Sequence, residues 1–251
     1  MFERLAVRLA EAGAGEWVLK GGAALEFRLL DKARSTKDID LAVRIDDADG
    51  EVLREALVES LSADPDEDGF SFQTSSPVPL AADAAGRGAW RFSVEARLAG
   101  KPFASVRLDA AARGVELTST EQLRMPGALS FAEIPARTVE AVTTRQHFAE
   151  KLHALTRDYE GRPNTRTKDL ADLVLLIELG LSPDRELVDA VRHVFAVRDT
   201  HPVPDTIPDP PPAWESGYPA IATNLTETPP DLAVAMRVLR EFWATAMVSD
   251  I

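Results

Sequence analysis

The chain contains no cysteine in 251 residues, which excludes disulfides, thiolate nucleophiles and cysteine-bound zinc. Histidine is scarce too: His147, His153, His193 and His201 stand at no recognisable zinc spacing, so any metal is expected to be hard and oxygen-bound. No apolar run approaches the roughly 18 residues that a membrane span requires. The N-terminal MFERLAVRLAEAG carries charges where a signal peptide has an uncharged segment, so a cytoplasmic protein without membrane contact is expected. Positive charge is in deficit, with 28 Lys and Arg against 41 Asp and Glu and a net charge of −13. That argues against a protein that coats nucleic acid over its whole surface, since phosphate binding is driven by Lys and Arg, and leaves local contacts open.

What is present is ordinary for a folded domain, with 45% apolar and 27% charged residues. The length suffices for one large domain or for a catalytic domain with a helical annex. Two stretches run against the acidic trend: Lys20, Arg28, Lys32, Arg34, Lys37 and Arg44, and then Arg145, Lys151, Arg157, Arg162, Arg166 and Lys168. Both are expected at the functional site.

The first half reads as alternating helices and strands. Phe2, Leu5, Ala6 and Leu9 have helical spacing over 2–12, and the apolar Trp17-Val18-Leu19 predicts a strand running into Lys20-Gly21-Gly22. A helix is expected over 23–30, a strand over 37–44 and an amphipathic helix over 49–62. The Asp-, Ser-, Pro- and Gly-rich 63–88 reads as loop with one strand near 70–73, and 90–98 and 102–109 as two strands joined at Ala99-Gly100-Lys101. The second half is helical, over about 145–158, 167–179, 183–197 and 231–247. Gly180 suits a helix C-terminus, and Ser182-Pro183 an N-cap with first-turn proline. Nine of the seventeen prolines fall in 200–230, which predicts an extended segment without regular structure. Phe27, Phe92, Phe103, Phe148 and Trp243 fit core spacing; Trp214 and Tyr218 are read as pins of the proline-rich segment rather than as stacking platforms for a base. These elements describe an α/β (α+β) fold: a domain over 1–140 with a mixed sheet and flanking helices, and a helical region over 141–251 that includes a Pro-rich loop at 200–230.

The informative run is Lys20-Gly-Gly-Ala-Ala-Leu followed by Arg34-Ser-Thr-Lys-Asp-Ile-Asp-Leu. Residues two apart in a strand share a face, so Asp38 and Asp40 project together while Ile39 and Leu41 turn to the buried side. Paired carboxylates hold Mg²⁺ when a nucleotide's phosphates complete the ligand set, and nucleotidyl transfer needs such metals to neutralise charge and align attack. Gly21 and Gly22, between a strand and a helix start, let backbone N–H groups approach a phosphate. A Gly-Gly or an Asp-x-Asp alone has little specificity; the combination has much more.

The same run resembles the signature of the AbiEii/AbiGii-type nucleotidyltransferases, the toxin components of type IV toxin–antitoxin and phage-defence systems, within the DNA polymerase β-like superfamily. The likeness extends to Glu150-Lys151-Leu-His-Ala-Leu and Lys168-Asp169-Leu-Ala-Asp172-Leu, with Lys168 where the family often has Arg and Ala23 where Thr is common. It implies a nucleotidyltransferase-type sheet, a helical C-terminal domain that completes the active site, and transfer of NMP from an NTP to RNA, a tRNA 3′ end being the attested acceptor. It also implies a cognate antitoxin.

The roles implied are these. Asp38 and Asp40 bind Mg²⁺ or Mn²⁺. Lys151, on a helix whose core side is Phe148, Leu152 and Leu155, reaches the triphosphate as a mobile charge. Asp169 holds Lys151 or Arg166, and Asp172 anchors its helix. Lys20, Arg34 and Lys37 surround the phosphates. Asp109 is the expected third carboxylate, the general base, with Glu95 as fallback; the competing reading is that Asp109 caps its strand or pairs with an arginine. Phosphorylation at Ser35 or Thr36 would put up to about two negative charges beside the carboxylates and switch the site off. Transfer to a protein or small-molecule acceptor, and an inactive nucleotide-binding module, are the alternatives; the presence of Asp38, Asp40 and Lys151 weighs against the second.

Overall fold

A computed structural model describes residues 1–12, 16–29, 38–45, 48–80 and 88–249. The chain divides into two compact units, Met1–Val142 and Thr143–Ile251.

The first unit is a mixed sheet with helices. Its described strands are β1 (Trp17–Lys20), β2 (Asp38–Val43), β3 (Phe70–Thr74), β4 (Val78–Pro79), β5 (Ala89–Leu98), β6 (Lys101–Ala112), β7 (Thr120–Arg124) and β8 (Thr138–Val142). They run in the order β3-β5-β6-β2-β1-β8-β7, with β4 beside β5. β2 is parallel to β6, and β1 to β8; the other pairings are antiparallel. The helices are α1 (Phe2–Ala12), α2 (Gly21–Leu29) and α3 (Gly50–Ser62), the last capped by Asp49, whose carboxylate accepts from the amides of Glu51 and Val52 at 2.9 Å.

Strand alternation sorts the sheet into two faces. Ile39, Leu41, Leu108, Ala110, Phe92 and Val94 join Leu5 and Leu9 of α1 and Leu53 and Leu57 of α3 in the main core. Their strand neighbours Asp38, Asp40, Arg107, Asp109, Arg91 and Ser93 therefore lie on the other face. Phe103 departs from the expected core position and is 54% exposed. The β5–β6 register shifts beside it, between Ala96 and Arg97, and its ring instead meets Phe70 edge-on, with centroids 5.2 Å apart.

α1 carries an unexpected load on its polar side. Arg4 and Arg8 are buried, and the Asp-rich turn after α3 encloses them: Arg4 bonds Asp66 at 2.7 Å, and Arg8 bonds both oxygens of Asp68, at 2.8 and 3.0 Å. Arg137 also donates to Asp66. The strand expected near 70–73 is β3, and what loop composition hides is the structured turn before it and the short β4 after it.

The second unit comprises α4 (Thr144–Thr156), α5 (Thr167–Glu178), α6 (Arg185–Arg198), α7 (Trp214–Ala222) and α8 (Leu232–Val248). Gly180 follows α5 at φ +84°, the left-handed conformation expected of it. The cap of α6 is Asp184, accepting from the Leu187 amide at 2.9 Å, rather than Ser182. The proline-rich segment is not wholly irregular, for α7 forms within it with Pro219 inside the helix. Trp214 and Tyr218 provide the reason: both are buried, and the Trp214 indole donates to the Asn164 carbonyl at 2.8 Å, so tertiary burial outweighs the local cost of proline.

Candidate active site

Register assembles the charged residues of the sheet. Lys20 lies opposite Asp40, Asp40 opposite Asp109, and Asp109 opposite Arg91, so one row crosses four strands as base, acid, acid, base. One step along, Asp38 lies opposite Arg107 and Arg107 opposite Ser93. Neighbouring strands sit about 4.8 Å apart, which puts three carboxylates within one small area.

Each carboxylate is held differently. Asp40 is seated on Gly21: a Cβ added there would come within 1.9 Å of Asp40 Oδ2, and Gly21 has φ +62°. The glycine is thus required twice over, by backbone conformation and by the carboxylate lying against it. Gly22, beside it, is buried in α2. Asp109 receives both Nε and Nη2 of Arg91, each at 2.7 Å. Asp38 receives Arg107 Nε at 2.6 Å and Nη2 at 3.4 Å. The hydrogen bonds to Asp109, reinforced by the charges of Asp109, Asp38 and Asp40, raise the Arg91 pKa above the usual arginine value. Arg91 therefore acts as counter-ion to the whole group.

Lys20 has a buried carboxylate within ion-pair distance. Its Nζ lies 4.0 Å from Oε1 of the fully buried Glu116, and Arg113 Nε lies 3.9 Å from the other oxygen. Arg34 and Lys37, with Ser35 and Thr36, fall outside the described residues. Arg28 and Arg44, members of the same basic stretch, are engaged elsewhere: Arg28 with Glu121 and the Val142 carbonyl, Arg44 with Glu140 and Thr120.

In the second unit Lys151 is buried rather than solvated. Its Nζ contacts Asp172 Oδ2 at 2.7 Å and Asp169 Oδ1 at 3.0 Å, with Asp172 completely enclosed. Burial by itself lowers a lysine pKa, but the two carboxylates outweigh it and raise Lys151 above its ordinary value, so the ammonium keeps its charge. Asp172 is therefore more than a helix anchor. Asp169 also lies 3.7 Å from Arg166, whose Nε donates to the Tyr159 hydroxyl.

Sequence reasoning missed Arg91, Arg107 and Glu116. Strand alternation over 102–109 held the signal for Arg107, two residues before Asp109; the arginine of the competing reading for Asp109 is Arg91, which only the sheet register identifies. Glu95, the fallback carboxylate, pairs with Arg97 at 3.3 Å on the same strand.

The family model described as nucleotidyl transferase AbiEii toxin, type IV toxin–antitoxin system, matches residues 4–246. The chain belongs to this family. It is accordingly an NTP-dependent nucleotidyltransferase of the toxin class, and a type IV system implies an antitoxin partner. Among solved structures it is similar to MenT4, a nucleotidyltransferase toxin of Mycobacterium tuberculosis H37Rv, at TM-score 0.57 and 20% identity, covering 98% of this chain and 81% of that one. An antigenic nucleotidyltransferase-like protein from Paracoccidioides brasiliensis is matched at TM-score 0.44 and 18% identity, over 78% of this chain and 85% of that one. No curated protein sequence matches significantly. The mixed sheet with flanking helices is that of the nucleotidyltransferase toxins. Among the described residues, no helix is long and apolar enough to cross a membrane.

Proposed function

We propose that this AbiEii-family chain transfers NMP from an NTP to RNA, at a tRNA 3′ end, with Asp38 and Asp40 as the metal-holding carboxylates. The observation that carries the metal-dependent transfer is the row Lys20, Asp40, Asp109 and Arg91 with Asp38 one step along, since it gathers three carboxylates and their cations on one sheet face, while the RNA acceptor rests on the family resemblance. The donor set suits a hard divalent cation, being entirely oxygen, and the missing Cβ of Gly21 gives the Asp40 carboxylate its seat. Among the described residues no three His, Asp or Glu side chains form a metal cage, so phosphate oxygens of the substrate would complete the ligand set held by Asp38 and Asp40. When bound, Mg²⁺ or Mn²⁺ supplies neutralisation of the phosphate charge and alignment for in-line attack.

The chain's own residues do the rest. Lys20, held by Glu116, contributes positive charge toward the triphosphate, as would Arg34 and Lys37 from outside the described residues. Lys151, kept protonated by Asp169 and Asp172, is the further phosphate-binding cation that the family resemblance implies. Asp109 takes the proton of the acceptor hydroxyl as the hydroxyl oxygen bonds the α-phosphorus and the bond from that phosphorus to the β-phosphate's bridging oxygen breaks, releasing pyrophosphate. Both Asp109 oxygens are engaged by Arg91, so this role requires Arg91 to yield at least one of its two bonds.

The test is incubation with each α-³²P-labelled NTP, Mg²⁺ and total tRNA, with Asp38→Ala and Lys151→Ala as controls. Label in RNA that both variants abolish is the expected result and names the nucleotide. Absence of label with every NTP rejects the RNA acceptor and turns the search to protein or small-molecule acceptors.

A further inference from the structure

We infer that Arg107 is a displaceable counter-ion that couples metal binding to nucleotide binding. It covers the Asp38 oxygens until a divalent cation takes them, then transfers its guanidinium to the triphosphate. The inference rests on Asp38 and Asp40 being the metal-holding carboxylates.

Three observations lead there. Arg107 engages both oxygens of Asp38, at 2.6 and 3.4 Å, and these are the oxygens a cation requires. A guanidinium and a divalent ion compete for them, because both need the same lone pairs and repel each other. The pair is also the looser of the two on this face: Arg107 and Asp38 side chains are 53% and 36% exposed, against 38% and 20% for Arg91 and Asp109, whose two bonds are both 2.7 Å. An exposed pair contributes little and exchanges readily. Finally, Arg107 projects from the same sheet face as Asp38, Asp40, Asp109 and Lys20, so a displaced guanidinium remains beside the place where phosphates would lie. Its planar donors suit a phosphate as well as a carboxylate.

The consequence is reciprocal coupling. Metal entering alone displaces Arg107 from its anion and offers no other; metal entering with a triphosphate supplies the replacement. The two ligands therefore strengthen each other's binding by the same factor.

Binding measurements on the full chain test this without reference to turnover. Mn²⁺ alone is titrated by the EPR signal of the free ion into the native protein, Arg107→Ala, Asp38→Asn and Arg97→Ala. The last removes an equal charge from the neighbouring strand β5, where it pairs with Glu95. Arg107→Ala is expected to bind Mn²⁺ about two- to fivefold more tightly, the range an exposed ion pair allows, and Arg97→Ala to match the native protein. With Mn²⁺ saturating, α,β-non-hydrolysable analogues of the four NTPs should bind Arg107→Ala about tenfold more weakly, as loss of a charged hydrogen bond predicts, with Arg107→Lys in between. If Asp38→Asn loses Mn²⁺ while Arg107→Ala binds it no better than native protein, the competition is overturned and the carboxylate reading stands. Tighter Mn²⁺ with unchanged nucleotide affinity overturns the transfer to the triphosphate. Native Mn²⁺ affinity in Asp38→Asn overturns the carboxylate reading itself.

Discussion

The first unit builds two arginine–aspartate assemblies from the same chemistry and with opposite exposure. Beneath α1, Arg4 and Arg8 are 2% and 0% exposed and meet Asp66 and Asp68. On the sheet, Arg91 and Arg107 meet Asp109 and Asp38 in contact with solvent. Removing one partner of a buried pair strands a charge in a poorly solvating interior, whereas removing one from an exposed pair lets water replace it. Burial thus separates arginines that hold the fold from arginines that can be traded for a ligand.

The largest effect should come from the buried assembly. Arg8→Ala leaves Asp68 without both hydrogen bonds from Arg8 and is expected to lower stability by about 3–5 kcal/mol, read from urea unfolding midpoints. A loss below about 1 kcal/mol would dissolve the distinction, since that is what exposed pairs give.

Lys151 sharpens the comparison, being buried like Arg8 yet assigned to the reaction. Lys151→Met should cost about 3 kcal/mol by isolating Asp172, and Lys151→Met with Asp172→Leu should regain much of that. Nucleotidyl transfer should stay lost in both, whereas recovery of transfer with stability would reduce Lys151 to a structural residue.

Gly21→Ala comes next. The added Cβ must push Asp40 aside and adopt a disfavoured φ, which predicts about 1–3 kcal/mol of destabilisation together with loss of Mn²⁺ affinity. Unchanged Mn²⁺ binding would separate Asp40 from the metal.

Acid should weaken the buried assembly through its two aspartates. Burial alone would raise the carboxyl pKa values of Asp66 and Asp68, but hydrogen bonds from Arg137 and Arg4 to the first and from Arg8 and the Phe70 amide to the second hold both below the ordinary range. Depressed folded values mean stability that is fully present above the unfolded pKa of about 3.9 and lost as pH falls through the folded ones. Melting temperature followed from pH 5 downward should fall more steeply for native protein than for Asp68→Asn. The smallest change is reserved for Arg107→Ala, within about 0.5 kcal/mol of native stability despite its effect on metal and nucleotide.

Much of the fold was legible locally. The alternation over Asp38–Val43, the helical spacing of α1 and α3, and Gly180 at the end of α5 each follow from periods or dihedrals that a few residues express. Asp38 and Asp40 could be named because the strand period itself joins them. The strands β7 and β8 escaped because they are short and lack strict alternation, and α7 because local proline content argued against a helix that buried Trp214 and Tyr218 sustain. Lys151 reads as a mobile charge because nothing in its own helix reveals that Asp169 and Asp172, on the next, close over its ammonium.

The sequence by itself therefore determined the elements, the two faces of β2 and the carboxylate pair with its glycine turn, all set by chain geometry over one or two turns or strand steps. Only the tertiary structure decided which cation meets which carboxylate. Arg107 reaches Asp38 across 69 positions and Arg91 reaches Asp109 across 18. Those meetings depend on strand order and register, which are fixed by packing of the whole sheet against α1 and α3, and a local hydrophobic pattern specifies a strand's buried face without naming its neighbour.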